Sequence, residues 1–330
     1  MAVFGWNPFT FTATAIRPVK PMFNDPVDFP LKLIVYSDGP GPELRLTLEA
    51  LAGATDGAGD IHVVLDWDPA EPDPADLTFG ASCATPPRLH RHPEQHGFYP
   101  AVHAAINAIG PAHIGLIRQG SILSPAALAS LVRGITQLGY AAVSPVTNRL
   151  AGLAIPLAPG DTPLTLNARL ALGFGEGAIV PAPLLDLDVL LLAQTALQVV
   201  PFPHFRNDPT DQSLINFMLA LSARRLPLGV CLDAYAYSLP RPGASPVTPA
   251  DTDADTAAID RLAALVHPES ERTDLTLRLT DFATTQAARR AQIEETLDLL
   301  VDAADGLDAA ELIHRAGDRQ PLADGQFGEG

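Results

Sequence analysis

The alternation of helix-like and strand-like segments between Gly97 and Asn148 constrains this chain more than any other feature of its sequence. Ala101, Val102, Ala105, Ile106 and Ile109 recur at helical spacing, and Gly110-Pro111 stops the helix they imply. His113 to Ile117 is a short apolar run with the character of a buried strand. A second helix is expected at once after it: Ser124 is placed to cap it and Pro125 suits its first position. Leu128, Leu131, Val132, Ile135 and Leu138 then make one apolar face, and Gly139 closes the helix. Ala141 to Val146 reads as the next strand. The turn Arg118-Gln119-Gly120-Ser121 falls at the carboxyl end of a parallel strand, where open α/β sheets bind ligands.

The same pattern begins upstream. Leu31 to Tyr36 is a buried strand, Ser37-Asp38-Gly39-Pro40-Gly41 a turn, and Pro42 opens a helix with Leu44, Leu48 and Leu51 on one face. Asp60 to Trp67 is a second strand, ending in carboxylates Asp66 and Asp68. Strands alternating with helices predict a parallel sheet with helices on both faces. Gly39-Pro40-Gly41 does not complete a dinucleotide fingerprint, because Leu44 stands where its third glycine belongs. Asp38 and Asp66 are also favoured turn residues, so their type alone does not assign them a ligand. His90 and His92 would share one face of a strand with His96 nearby, the start of a zinc site, but no carboxylate or cysteine stands at a firm ligand spacing.

Composition narrows the function classes. A chain of 330 residues with 47% hydrophobic content can bury one large α/β core and an appendage. The net charge of −17 argues against nonspecific nucleic-acid binding, and −11 of it lies between Thr248 and Gly330. No uninterrupted apolar run is long enough to cross a bilayer, and the proline-broken N-terminus lacks the basic start of a signal peptide. Cys83 and Cys231 belong to no metal or redox spacing, which fits a cytoplasmic location. Two lysines among many arginines and alanines fit a GC-rich bacterial origin.

The succession of a Gly-containing helix start, the helix through Asn107, a hydrophobic strand and the helix Pro125-Ala126-Ala127-Leu128 resembles the middle of a family 2 glycosyltransferase of the GT-A fold. The resemblance covers about residues 31 to 240. It implies a mixed, mostly parallel α/β sheet flanked by helices and a nucleotide-sugar substrate. It places Ser37 and Asp38 at the nucleotide, and Asp66 at the base or ribose. His96 lies in the loop facing the donor, with Arg88 and Arg91 near the diphosphate. In Asn207-Asp208-Pro209-Thr210-Asp211, the residue matching the family's general base is Asp211. Asp211 also suits the first turn of a helix, where the dipole favours a carboxylate.

The chain departs from the family at its metal site. Arg118-Gln119-Gly120 stands where family members carry an acidic motif, and Ser238 stands where the last core strand often ends in a histidine ligand. The expectation is therefore a site with no metal cofactor, in which Arg118 and Gln119 meet the donor. A diphosphate leaving group needs its charge met by something, and a guanidinium does so bidentately.

Around this core, residues 1–30 read as an extended lead-in and 241–254 as a linker. Residues 255–316 form an acidic helical extension, and 317–330 a flexible tail. Leu150 to Gly175 reads as an irregular region, and Leu184 to Leu197 as a buried helix. Two functions remain open. One is an inverting, metal-independent transferase acting on a glycan, lipid or protein acceptor. The other is a noncatalytic GT-A-like module binding a nucleotide, glycan or partner protein, with self-association through the acidic extension.

Overall fold

A computed structural model describes residues 29–39, 41–55, 60–67, 86–92, 96–149, 154–158, 160–182, 185–186, 188–204, 212–239, 291, 293–295 and 297. Its first half is a run of β-turn-α units. Strand β1 (Leu31–Ser37) leads to helix α1 (Pro42–Ala54), and β2 (Asp60–Leu65) and β3 (Arg88–Arg91) precede α2 (Phe98–Ile109). Strand β4 (His113–Arg118) follows, then β5 (Ser121–Leu123), α3 (Pro125–Thr136) and β6 (Ala142–Thr147). The Ser124 side chain accepts the Ala127 N–H and Pro125 occupies the first turn of α3, as the sequence predicts. The second half contains α4 (Pro163–Phe174), β7 (Ile179–Pro181), β8 (Val189–Leu192), α5 (Gln194–Val199), α6 (Gln212–Ala223) and β9 (Leu228–Ser238).

The nine strands among the described residues belong to one sheet, ordered β3-β2-β1-β4-β8-β6-β9-β5, with β7 paired to β9. The pairings β3-β2, β2-β1, β1-β4 and β6-β9 are parallel, whereas β8 runs antiparallel to both β4 and β6. The sheet is therefore mixed, parallel through its first half, and flanked by helices. Consecutive residues of β1, β2 and β8 are buried, Val189 to Leu192 without exception, so both faces of these strands are covered. Gly115 lets two neighbours approach: a Cβ there would lie 2.6 Å from a Leu33 methyl and 3.0 Å from a Leu191 methyl.

Two sequence expectations are corrected. Leu184 to Leu197 is not one buried helix: Val189–Leu192 is the strand β8, and only Gln194–Val199 is helical. A strand covered on both faces is apolar at every position, so it has no period to distinguish it from a buried helix. Within the irregular region lies α4, opened by Thr162, which accepts the Thr165 N–H, and by Pro163. The register of β6 against β9 jumps between Pro145 and Val146, which pair with Cys231 and Tyr235. This bulge leaves Asp233 to bond Ser130 Oγ and the Gly177 N–H, each at 2.9 Å.

Of the acidic extension, residues 291, 293–295 and 297 are described, and they are helical. Ile293 and Leu297 are buried within the same apolar core as the sheet. Residues 1–28, 240–290 and 298–330 lie outside the described residues.

Candidate functional site

The carboxyl ends of β1, β2 and β4 lie side by side, and the antiparallel β8 brings its amino end to the same edge. Six of the seven residues expected at the site are described, and all six fall here. Asp211, and Asp68 at the end of the second strand, lie outside the described residues.

Gln119 links the first turn to the third. Its backbone N–H donates to Tyr36 O at 2.9 Å, and its amide donates to Asp38 Oδ1 at 2.7 Å. Its amide oxygen accepts from the hydroxyl of Ser37, which is fully buried. Ser37 Oγ also lies 2.9 Å from Gly39 O, while Asp38 is exposed. Asp38 is thus presented at the mouth of the site by an amide anchored on β4.

Asp66 is 5% exposed and turned inward. Its two oxygens accept the backbone N–H groups of His96 and Gly97, each at 2.8 Å, and Tyr36 OH donates to it at 3.0 Å. These N–H groups belong to the start of α2, which has no capping side chain of its own. Gly97 adopts φ 82°, a conformation that glycine alone reaches without steric cost. Burial and the Asp66 charge hold the Tyr36 phenol well above its ordinary range, so it stays a donor. His96 packs its ring edge-on against His92, with 5.6 Å between centroids.

Arg118 is held over an aromatic ring. Its guanidinium carbon lies 4.1 Å from the centroid of Phe98, the first residue of α2, and Phe98 packs edge-on against Tyr36. The Arg118 N–H donates to Asp188 O at 2.8 Å, and its Nε lies 4.0 Å from Asp188 Oδ1. Arg149 approaches the other oxygen, with Nη1 at 3.6 Å from Asp188 Oδ2. Behind this group, the buried Asp186 accepts the N–H groups of Asp188 and Val189 and the hydroxyl of Thr147 at 2.8 Å. Burial and the neighbouring Asp188 push Asp186 up to about 6.

Asp186, Asp188 and Arg149 escape sequence reasoning. Asp186-Leu187-Asp188 lies within Leu184 to Leu197, the stretch that reads as a helix, and only the insertion of β8 beside β4 brings it to Arg118. Arg88 does not reach the site: it faces Asp60 at the amino end of β2, Nε 3.7 Å from Oδ1. His62 and His90 pair there instead, 2.9 Å apart. Ser238 pairs with Ser121 at the end of β9, and Asn148 bonds both its N–H and its C=O. Among the described residues, no three His, Cys, Asp or Glu side chains are grouped to hold a metal ion, and no helix is long and apolar enough to cross a membrane.

No protein-family model matches the sequence, and no curated protein matches it. Solved structures similar to this chain include GalNAc-T7 with UDP, GalNAc and Mn2+, at 11% identity and a TM-score of 0.49, covering 76% of this chain and 54% of that one. This chain thus spans about half the length of GalNAc-T7. Residues 1–349 of S. aureus TarS match at 12% identity and a TM-score of 0.43, covering 75% of this chain and 69% of that one. The mannosyltransferase PcManGT from Pyrobaculum calidifontis, in complex with GDP-Man and Mn2+, matches at 14% and 0.48, covering 89% and 81%. The GT-A-like description of this chain, a mixed sheet flanked by helices, stands on the strand order and helix placement given above.

Proposed function

We propose that the chain is a glycosyltransferase that moves a sugar from a nucleoside-diphosphate donor to an acceptor hydroxyl, with inversion and without a metal ion. The observation that carries this reading is Arg118, a guanidinium stacked on Phe98 at the end of β4, beside the Gln119 that presents Asp38. In this reading the nucleotide lies over the β1 and β2 turns, at Ser37, Asp38 and the loop that Asp66 and His96 fasten. Its diphosphate lies against Arg118.

The acceptor oxygen forms its bond to the anomeric carbon from the face opposite the leaving group. The bond to the diphosphate oxygen breaks, and the nucleoside diphosphate departs with the electron pair. Asp211 takes the acceptor's proton. Arg118 meets the charge that develops on the departing phosphate, where a preorganised cation lowers the barrier.

A divalent ion at the end of β4 would need oxygen ligands of negative charge. The donor set there is a guanidinium and an amide; of the described carboxylates beside it, Asp38 accepts from the Gln119 amide and Asp188 already faces two arginines. These residues do not fit a metal, and no step is routed through one.

The test is transfer or hydrolysis of UDP- and GDP-sugars in EDTA, followed by release of UDP or GDP. Asp211→Asn is expected to lower kcat at least a hundredfold while leaving donor affinity within about twofold. Donor binding with no turnover in wild type, over a broad acceptor panel, supports the second reading, a noncatalytic nucleotide-binding module. The replacement of the family's acidic motif by Arg118-Gln119-Gly120 favours that second reading.

A further inference from the structure

We propose that Arg149 is a second diphosphate-binding residue, acting with Arg118 as a two-guanidinium clamp that Asp188 holds open between them. The proposal rests on the nucleoside-diphosphate reading above and names a residue which that reading does not include.

One carboxylate stands between two guanidiniums. Asp188 Oδ1 faces Arg118 Nε at 4.0 Å, and Oδ2 faces Arg149 Nη1 at 3.6 Å. Both separations exceed the ~2.7–2.9 Å of a charge-assisted hydrogen bond. Asp188 therefore attracts the two cations from beyond that distance. Arg149 Nη1 is buried and makes no hydrogen bond among the described residues. A cationic donor in that state is unfavourable until an acceptor arrives, and an anion with several oxygens supplies one.

The cluster is built from fixed parts. The Arg149 backbone N–H donates to Thr147 Oγ1 at 3.1 Å, and Thr147 donates to Asp186. Asp186 in turn fixes the backbone of Asp188 and Val189. Asn148 is bonded twice to Ser238 on β9, so the residue before Arg149 is tied to a second strand. The side chains of Arg118 and Arg149 as a whole remain 12% and 22% exposed, so each guanidinium group lies at the edge of the solvent while Arg149 Nη1 is turned inward. Arg118 lies at the end of β4 and Arg149 just past the end of β6, with the Asp188 end of β8 between them, so the clamp straddles three elements. A guanidinium can grip a phosphate oxygen pair, which an ammonium cannot.

Calorimetry with inorganic pyrophosphate, UDP, GDP, uridine and guanosine tests this on the full chain in EDTA. Arg149→Gln is expected to weaken pyrophosphate and nucleoside diphosphate at least tenfold, and to leave nucleoside binding unchanged. Arg149→Lys recovers only part of the loss. Asp188→Asn removes the internal competitor and is expected to tighten pyrophosphate, a gain that a merely structural role would not give. Should Arg149→Gln fail to fold, Arg149→Lys and Asp188→Asn carry the test. If UDP or GDP binds wild type and folded Arg149 variants alike, the clamp is overturned and the transferase reading stands. If pyrophosphate binds through Arg149 but no nucleotide binds, the clamp stands and the donor reading falls. No binding of any probe overturns both.

Discussion

The carboxylate of Asp66, at the end of β2, accepts the backbone N–H of Gly97 at 2.8 Å, and so closes the start of α2 from a different element. A helix start needs its N–H groups satisfied, and here the acceptor comes from 31 residues away in the chain. The bond joins the second βα unit of the sheet to the helix that carries Phe98, and through Phe98 to Arg118.

Asp66→Ala is therefore expected to destabilise the protein by about 2–3 kcal/mol, since two half-buried backbone N–H groups and the buried Tyr36 hydroxyl lose their acceptor. Urea unfolding measures it. A loss under about 0.5 kcal/mol would show that Asp66 does not hold α2.

Gln119→Ala should act on binding more than on stability. Its amide fixes exposed Asp38 and reaches buried Ser37. The expected result is a loss of about fivefold to tenfold in nucleotide affinity, roughly one neutral to charge-assisted hydrogen bond's worth, with a melting temperature within a few degrees of wild type. Titration calorimetry beside a thermal melt separates the two effects.

Gly229→Ala tests the packing of β9. A Cβ there would meet Ile179 Cγ2 at 2.5 Å and the Tyr140 ring at 2.6 Å, and neither is a flexible chain end. Overpacking of this kind costs about 1–3 kcal/mol. Denaturant titration should show that loss with an unchanged m-value.

The fold was legible where local signals and burial agreed. Ser124-Pro125 reads as a helix start because capping is local chemistry, and Ser238 does end the last strand, β9, as the family resemblance implies. Thr162-Pro163 carries the same signal as Ser124-Pro125 but stands among prolines and glycines that mask it. The three-residue β5 is too short to show a period, and β8 has none to show. That Ser37, Asp38, Asp66, His96, Arg118 and Gln119 gather at one edge of the sheet was legible because βα turns follow strands in sequence order. Asp188 and Arg149 were not, because their meeting with Arg118 depends on an antiparallel strand inserted between β4 and β6.

Two buried groups give the stability profile opposing slopes between about pH 4 and 6.5. Burial lowers His62 to about 4, below its ordinary 6.5, so the unfolded chain binds more protons in that window and stability rises with pH. Asp186 is raised to about 6 from 3.8, so the folded chain holds the extra proton and stability falls as pH rises from about 4 to 6. His62→Gln should therefore remove a rising component, and Asp186→Asn a falling one. Urea midpoints from pH 4 to 7 check this: the two variants must shift the slope in opposite directions. A shift in the same direction would refute the assignment of either group.

The measurement that bears most directly on the account is calorimetric titration of the full chain with UDP and with GDP, each in Mn2+ and in EDTA, for wild type and Arg118→Ala. The account predicts that at least one nucleotide binds, that EDTA leaves its affinity unchanged, and that Arg118→Ala weakens it at least tenfold while the melting temperature holds. Binding that requires Mn2+ and ignores Arg118, or no binding of either nucleotide in either condition, would contradict it.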